Sequence, residues 1–386
     1  MSKINDLEEY KKRTIRKKRK RYLTIAAIAL IVLVVFLIGH TIVSQMTYDS
    51  YRVLDVNEQL DSSVLNYKEL GDYVLRYSGD GVSLIDHSDD VLWNDSIQMN
   101  SPIVVDFNEV AAVFETKGTE IHVYDLEGKL GIIKTDYPIL KAAMSSRGGV
   151  AVILENEENT LINYYSADGS LVASCSGNMR DPGYPVDLSL SEDGMFMAVS
   201  YLVADGSEIS SYLALYNFGD VGKNKEDNLL DGVRFEGTIV PKVEYLDEKT
   251  LLVYEENGFC LYKCGTMLEE IKSVTFEKDI ISSFSDRELF GFVFWGSGDQ
   301  AFEMKVYDAS GNIQMESDFD LSYDNIKMSN EQIILYNANQ FAIIASNGIV
   351  RYSGNFEEGN ILDIVKKGIN RYSVACNKGV VDIKLN

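Results

Sequence analysis

A strand-turn-strand phrase recurs along the chain, and its spacing constrains the fold more than any other feature. Clear copies are SLIDHSDDVLW from Ser83, HVYDLEGKL from His122, NYYSADGSL from Asn163, LALYNFGDV from Leu213 and KVYDASGNI from Lys305; weaker copies are FCLYKCGTM from Phe259, AIIASNGIV from Ala342 and VVDIKLN from Val380. Taking Leu84, Val123, Tyr164, Leu215, Leu261, Val306, Ile343 and Val381 as equivalent, successive copies are 37 to 51 residues apart. This is the length of one four-stranded propeller blade, so the spacing predicts a β-propeller.

Short apolar runs fill each repeat and are bounded by Gly, Asp, Asn and Ser, a pattern typical of strands and turns. Examples are Tyr73–Tyr77, Val110–Phe114, Val150–Leu154, Phe196–Tyr201, Leu251–Tyr254, Ile333–Tyr336 and Arg371–Ala375. We expect the apolar second strand of each blade to lie near the central channel and to be buried on both faces, because radial packing removes the exposed faces of the blades. The fold class is therefore all-β.

Eight phrases predict eight blades, and the last of them is incomplete. It has strands at 361–365, 371–375 and 380–385, after which the chain ends at Asn386. Tyr51 to Val56 is expected to supply the fourth strand, which would close the ring and remove an open edge. A seven-bladed ring is the alternative, because the unit after Pro185 contains a long insertion, Gly219 to Asp231.

The net charge of −23 is unevenly distributed along the chain. Residues 1–22 contain 10 Lys+Arg and 3 Asp+Glu, which leaves 26 basic and 56 acidic residues in the remainder, a net of −30. An acidic domain of this kind favours basic partners and is a poor candidate for binding nucleic acid or other anionic polymers.

Leu23 to Val43 contains no Asp, Glu, Lys or Arg and is long enough to cross a bilayer as a helix. The basic residues precede it, so the positive-inside rule keeps the N-terminus cytoplasmic and places the residues after the span on the outer side. We therefore predict a cytoplasmic tail (1–22), a transmembrane helix (23–43), a short linker (44–49) and an extracytoplasmic propeller (50–386). A cleaved signal peptide is the alternative, but the apolar run is long for one and ends in a poor cleavage site, His40 to Ser44.

A second phrase gives the fold a family resemblance. PVDLSLSEDGMFMAVSY from Pro185 and ILKAAMSSRGGVAVIL from Ile139 resemble the turn before the buried strand of quinoprotein and WD40-like propellers. The Gly-His and Trp-Asp pairs of true WD40 repeats are absent. With its basic tail, single span and acidic propeller, the chain most resembles a membrane-protein family of Gram-positive bacteria, known as domain of unknown function 5711. That resemblance implies a fold and a location but no activity.

No pattern of catalytic, cofactor-binding or metal-ligating residues stands out, so the sequence assigns no such residue and no cofactor. His87 and His122 are expected to face solvent. Cys175, Cys260, Cys264 and Cys376 are expected to be small buried side chains, and a disulfide between Cys260 and Cys264 would require a bulge between them. The aromatic strand Phe290, Phe292, Phe294 and Trp295 is expected to pack in the core.

The sequence thus favours a non-enzymatic binding or scaffolding module at the cell envelope. A protein or envelope partner would bind at the channel mouth or at loop Gly219 to Asp231; no small-molecule ligand is defined. A quinoprotein-like or glycan-acting enzyme with its site in the channel is the first alternative, and signalling through the basic tail is the second.

Overall fold

The computed structural model describes residues 45–58, 65–86, 90–156, 160–177, 183–206, 208–329 and 332–386, together with Tyr22, Leu30, Ile31 and Val34. The remainder of the predicted span Leu23 to Val43, and His87, lie outside these residues. Within the described ranges, no helix combines the length and the apolar character that a membrane crossing requires.

The described strands form eight antiparallel sheets of four strands, each one blade. Blade 1 contains β2 (Asn66–Leu70), β3 (Tyr73–Tyr77), β4 (Gly81–Ile85) and β5 (Val91–Ser96); blade 2, β6 (Pro102–Phe107), β7 (Val110–Glu115), β8 (Glu120–Tyr124) and β9 (Lys129–Lys134); blade 3, β10 (Ile139–Met144), β11 (Val150–Glu155), β12 (Thr160–Tyr165) and β13 (Leu171–Gly177); blade 4, β14 (Tyr184–Leu190), β15 (Phe196–Asp205), β16 (Glu208–Asn217) and β17 (Leu229–Phe235).

The second half of the ring repeats this order. Blade 5 contains β18 (Lys242–Tyr245), β19 (Thr250–Glu255), β20 (Gly258–Cys264) and β21 (Leu268–Thr275); blade 6, β22 (Ile280–Ser285), β23 (Leu289–Trp295), β24 (Phe302–Asp308) and β25 (Ile313–Phe319); blade 7, β26 (Asn325–Ser329), β27 (Gln332–Tyr336), β28 (Gln340–Ala345) and β29 (Val350–Asn355); blade 8, β30 (Ile361–Lys366), β31 (Arg371–Cys376), β32 (Gly379–Leu385) and β1 (Tyr51–Glu58). The prediction of eight blades is confirmed, and the seven-bladed alternative is wrong.

Blade 8 confirms the predicted closure by the two ends of the domain. β1 pairs antiparallel with β32 from Tyr51 opposite Leu385 to Glu58 opposite Gly379, with one bulge after Val53. Backbone bonds extend this pairing at its start, since Asn386 N donates to Ser50 O. Each blade of the described ring therefore has its fourth strand.

The up-and-down order of strands gives the ring two distinct ends. Turns between first and second strands, and between third and fourth strands, lie at one end, which we call the hairpin face. Turns between second and third strands, and the links between blades, lie at the other end, the linker face. Gly169 and Gly311 lie in hairpin-face turns with φ of 90° and 74°, as expected for the Asp-Gly and Gly-Asn turns of this phrase.

The second strands are buried on both faces as predicted, but apart from Tyr336 they do not line the channel. Ala111 to Phe114 in β7 and Val150 to Leu154 in β11 are almost wholly inaccessible to solvent. The first strands contact one another around the ring and are the innermost ones. The first strands are more polar than the second strands. Only their outer side has an apolar strand as its neighbour, because their inner side faces the channel.

The packing between blades 5 and 6 is strongly aromatic. Phe290, Phe292 and Phe294 in β23 are buried, and Phe259 in β20 stacks on Phe292 at 5.6 Å between ring centroids. This confirms the core assignment for three of the four aromatic residues. The fourth, Trp295, is largely exposed at the linker face and stacks on Phe302. It is exposed because the strand ends there.

The insertion in blade 4 is shorter than the sequence suggested. β17 begins at Leu229, so only residues 218–228 form the loop, and they contain 3-10 helices at Gly222–Asn224 and Glu226–Asn228. Asn217 Oδ1 accepts hydrogen bonds from the backbone N–H of Gly219 and Gly222, both at 3.1 Å. The loop is thus folded back on its own blade at the hairpin face.

Candidate functional site: the central channel

The first strands enclose a polar channel with a cavity volume of about 1160 Å³. Its wall takes residues from all eight blades. Most of the charged ones come in pairs of a lysine and a carboxylate.

Four ion pairs line this channel. Their N–O distances are 3.1 Å for Lys68–Asp106, 2.6 Å for Lys141–Asp187, 2.8 Å for Lys242–Glu244 and 2.6 Å for Lys327–Asp363. The lysines lie on the first strands of blades 1, 3, 5 and 7. In three pairs the carboxylate belongs to the next blade; in the fourth it is on the same strand as the lysine. The wall is therefore pseudo-fourfold.

The carboxylates are also held from the protein side. Asp187 accepts a hydrogen bond from the backbone N–H of Val243 at 2.8 Å. Glu244 accepts from the hydroxyls of Ser285 and Tyr254. Asp363 accepts from the hydroxyl of Tyr336 at 3.1 Å. Buried carboxylates need such partners, because an unpaired charge away from water is costly.

These surroundings shift the pKa of the paired groups. Asp106 raises the pKa of Lys68, against the opposing effect of burial. Burial raises the pKa of Asp187 more than Lys141 lowers it. Burial also acts to raise the pKa of Glu244, but Lys242, Ser285 and Tyr254 together hold it below the usual value. The Lys68 ammonium is therefore charged at neutral pH.

An arginine crosses the hairpin-face mouth of the channel. Arg287 follows β22 in blade 6 with a φ of 75°, in the left-handed region that is uncommon for a residue with a side chain. Its Nη2 donates to the carbonyl of Asp106 at 2.8 Å, and its guanidinium lies 3.5 Å from the centroid of the Phe107 ring. Blades 2 and 6 are opposite one another in an eight-bladed ring, so this side chain narrows the mouth.

Three of the four cysteines have a raised pKa. All four are buried and free, and burial raises the pKa of Cys175, Cys260 and Cys264 to about 12. They are therefore thiols rather than nucleophilic thiolates at neutral pH. Cys264 Sγ lies 3.2 Å from the hydroxyl of Tyr245, which donates to it. In the part of the chain that the structure describes, no three His, Cys, Asp or Glu side chains are arranged to hold a metal.

His122 was expected to face solvent, and that expectation is wrong. It is 8% exposed, lies beside Glu120 at 3.7 Å and has no hydrogen-bond partner at Nδ1 among the described residues. Burial, followed by Lys129, lowers its pKa. It is buried because the third strand of blade 2 packs against blade 1, where the Tyr124 ring stacks on Trp93. His122 lies on the third strand of its blade and is therefore distant from the channel wall.

The chain enters the ring at the hairpin face. Tyr51, at the start of β1, pairs with the hairpin-face end of β32. Just before it, the backbone N–H of Tyr48 donates to Arg351 O at 2.7 Å, and the Arg351 guanidinium lies over the Tyr48 ring. The segment preceding β1 is thus held between blades 7 and 8, at the same end as Arg287.

A comparison with protein families finds a match over residues 44–385 to a family of unknown function, DUF5711. No curated protein matches the chain. Among solved structures, Sqt1 from Chaetomium thermophilum is similar with a TM-score of 0.52 at 11% identity, covering 89% of this chain and 98% of that one. A eukaryotic initiation factor gives 0.52 at 13% identity over 85% and 87%, and BamB from Moraxella catarrhalis gives 0.49 at 14% identity over 88% and 100%. At these identities the likeness concerns the fold alone, and the two structures with a TM-score of 0.52 are consistent with the propeller.

Proposed function

Because the chain belongs to the DUF5711 family, whose description names no function, we propose its role from its own residues: a membrane-anchored, extracytoplasmic binding or scaffolding module at the cell envelope. In this proposal Leu23 to Val43 is the anchor, the tail before it is cytoplasmic, and the ring is exported.

The position of the chain entry carries the proposal. The predicted span ends at Val43, and Tyr48 is already bonded to blade 7. Five extended residues reach at most roughly 17 Å, so a span at 23–43 would place the hairpin face close to the bilayer. The linker face would then point away from the membrane, toward the envelope.

The closed ring supports a binding role. Closure by β1 and β32 leaves a rigid wall, and rigid scaffolds with variable loops commonly carry recognition surfaces. Cys175, Cys260 and Cys264 have a raised pKa, and the charged wall of the channel is arranged in pairs rather than as an exposed acid and base. These features favour recognition of a ligand over nucleophilic chemistry.

Crosslinking in intact cells, with identification of the crosslinked neighbours, tests the proposal. The expected result is recovery of envelope or surface proteins crosslinked to the ring and of none that are confined to the cytoplasm. Recovery of cytoplasmic neighbours through the ring would contradict it.

The loop of blade 4 is the proposed protein-contact site and gives a sharper version of that experiment. Replacing residues 219–228 by a short Gly-containing turn, while keeping β17 intact, is expected to abolish the crosslinked partner. Leu229 to Asp231 must stay because Asp231 accepts a hydrogen bond from Leu268 N of blade 5. A matched control shortens residues 297–300 at the linker face. Unchanged partner recovery from the loop variant would remove this loop from the proposal.

A further inference from the structure

We propose that the four lysines of the channel wall form a binding site for a multivalent oxyanion, a ligand that carries phosphate or carboxylate groups. This inference gives a ligand class to the binding module proposed above. It rests on that proposed function only for the cellular location in which the ligand is bound.

The site is built by an arrangement that repeats around the ring. Lys68, Lys141, Lys242 and Lys327 all lie on innermost strands, and they alternate with blades that carry none of them. Four ammonium groups are thus distributed around one cavity. Such a distribution suits a ligand with several negative oxygens better than one with a single charge.

The exposure of the paired groups is unequal, and the inequality decides which partner meets a ligand. The lysine side chains are 28–47% exposed, whereas their carboxylates are 5–26% exposed. Each ammonium has three N–H donors, and one carboxylate oxygen does not satisfy all of them. A ligand in the channel would therefore meet ammonium donors first.

The carboxylates do not remove this capacity, because the protein wall already holds them. Val243 N, Ser285, Tyr254 and Tyr336 donate to Asp187, Glu244 and Asp363 from the wall. The carboxylates fix the lysines in place. Ligand oxygens can then accept the remaining N–H bonds while the pairs stay intact.

The other acids of the cavity define its entrance. Asp72, Glu109 and Asp286 belong to first turns and therefore lie at the hairpin-face mouth, where Arg287 also crosses. Glu69 is engaged by Ser329 at 2.8 Å and by the backbone N–H of Lys366 at 3.1 Å. These acids therefore lie at the mouth, and the four lysines lie farther along the first strands, deeper in the cavity.

Calorimetric titration of pyrophosphate into the full chain in a nonionic detergent, at low ionic strength, tests this site. One saturable site per chain is expected, and added salt is expected to weaken it. Citrate in a parallel titration separates phosphate from carboxylate preference, and saturable binding of either probe supports the site. Absence of saturable binding of both probes to the wild type would overturn the proposal.

Lys68→Met is the informative variant, because its partner Asp106 is the most exposed of the four carboxylates. It is expected to weaken binding by at least ~10-fold. Lys305→Met is the matched control: Lys305 is paired with Glu303 and Glu316 and is 29% exposed, but it lies on β24, the third strand of its blade. Equal losses in the two variants would contradict the proposal.

Chemical acetylation tests the same site in the wild-type protein, so its result does not depend on whether a variant folds. Excess pyrophosphate is expected to protect Lys68, Lys141, Lys242 and Lys327 from acetylation and to leave Lys305 unprotected. Equal reactivity of the channel lysines with and without pyrophosphate would overturn the site. Both experiments are done in vitro, so their outcome is independent of whether the ring is exported.

Discussion

The channel wall and the interface between blades 5 and 6 have opposite chemistry although a single strand separates them. At the interface, Phe259, Phe290 and Phe292 are fully buried; Phe259 stacks on Phe292 and contacts Phe290 edge to face. In the wall, charged side chains are paired and partly exposed. Burial of aromatic surface stabilises a fold strongly, whereas paired charges contribute little net stability. The core therefore holds the ring together, and the channel is available for recognition.

The largest expected effect is on the aromatic side of the comparison. Phe292→Ala should lower the free energy of unfolding by about 3–5 kcal/mol, because it leaves a cavity in a buried cluster. Trp295→Ala, three residues later on the same strand, should cost far less because that side chain is largely exposed. Chemical unfolding of both variants measures the difference. Equal losses would show that the core is not where the stability lies.

A channel variant should cost less than the core variant and should be rescuable. Lys141→Met leaves Asp187 buried without its cation and is expected to lower the free energy of unfolding by about 3 kcal/mol. Adding Asp187→Asn should restore most of that loss, because it removes the unpaired buried charge and keeps an acceptor for the Val243 N–H. Unfolding of the double variant checks this. No rescue would mean that the pair itself holds the ring together.

The pH dependence of stability should report on the charged residues of the channel wall. The folded-state pKa of Glu244 lies below its unfolded value, so its stabilising contribution is present above the unfolded pKa and is lost as pH falls through the folded pKa. Glu244→Gln should be less stable than the wild type at neutral pH, and the difference should shrink as the solution is acidified through this range. Thermal unfolding across acidic pH measures it. A constant difference would contradict the assigned shift.

The smallest expected effect is at His122, outside the wall. Its folded-state pKa is lowered, so the unfolded chain binds more protons as pH falls below about 6.5, and stability declines there. His122→Gln should remove that part of the decline and leave oxyanion binding unchanged. Thermal unfolding between neutral and mildly acidic pH, with the same binding titration, tests both statements. An unaltered decline in the variant would be inconsistent with the buried imidazole.

The architecture was predictable because each blade repeats a local pattern. The hairpin phrases set the number of blades, and the lack of a fourth strand before Asn386 indicated that Tyr51 to Val56 would complete blade 8; β1 confirms it. The buried second strands begin at or within one residue of the predicted positions, as at Tyr73 and Val110. The prediction that the second strands lie near the channel was wrong, because an apolar run indicates that a strand is buried and does not indicate its distance from the ring axis.

The channel was not predictable by the same means. Its lysines recur once every two blades, at intervals of 73, 101 and 85 residues from Lys68 to Lys327, so an alignment of single blades does not superpose them. The phrases NYKEL, ILKAAM, PKVEY and NIKMS would have shown them if alternate first strands had been compared. Arg287 has no such pattern, because its contacts are with the opposite blade, about half the ring away.

The central proposal is that the ring is tethered at its hairpin face and that its linker face looks outward from the membrane. Labelling of single added cysteines with a membrane-impermeant maleimide in intact cells tests it most directly, because the four native cysteines are buried. Ser297→Cys, in the exposed linker-face turn of blade 6, should be labelled without permeabilisation, and Ser2→Cys in the basic tail should not. Labelling of Ser297→Cys only after permeabilisation would contradict the proposal.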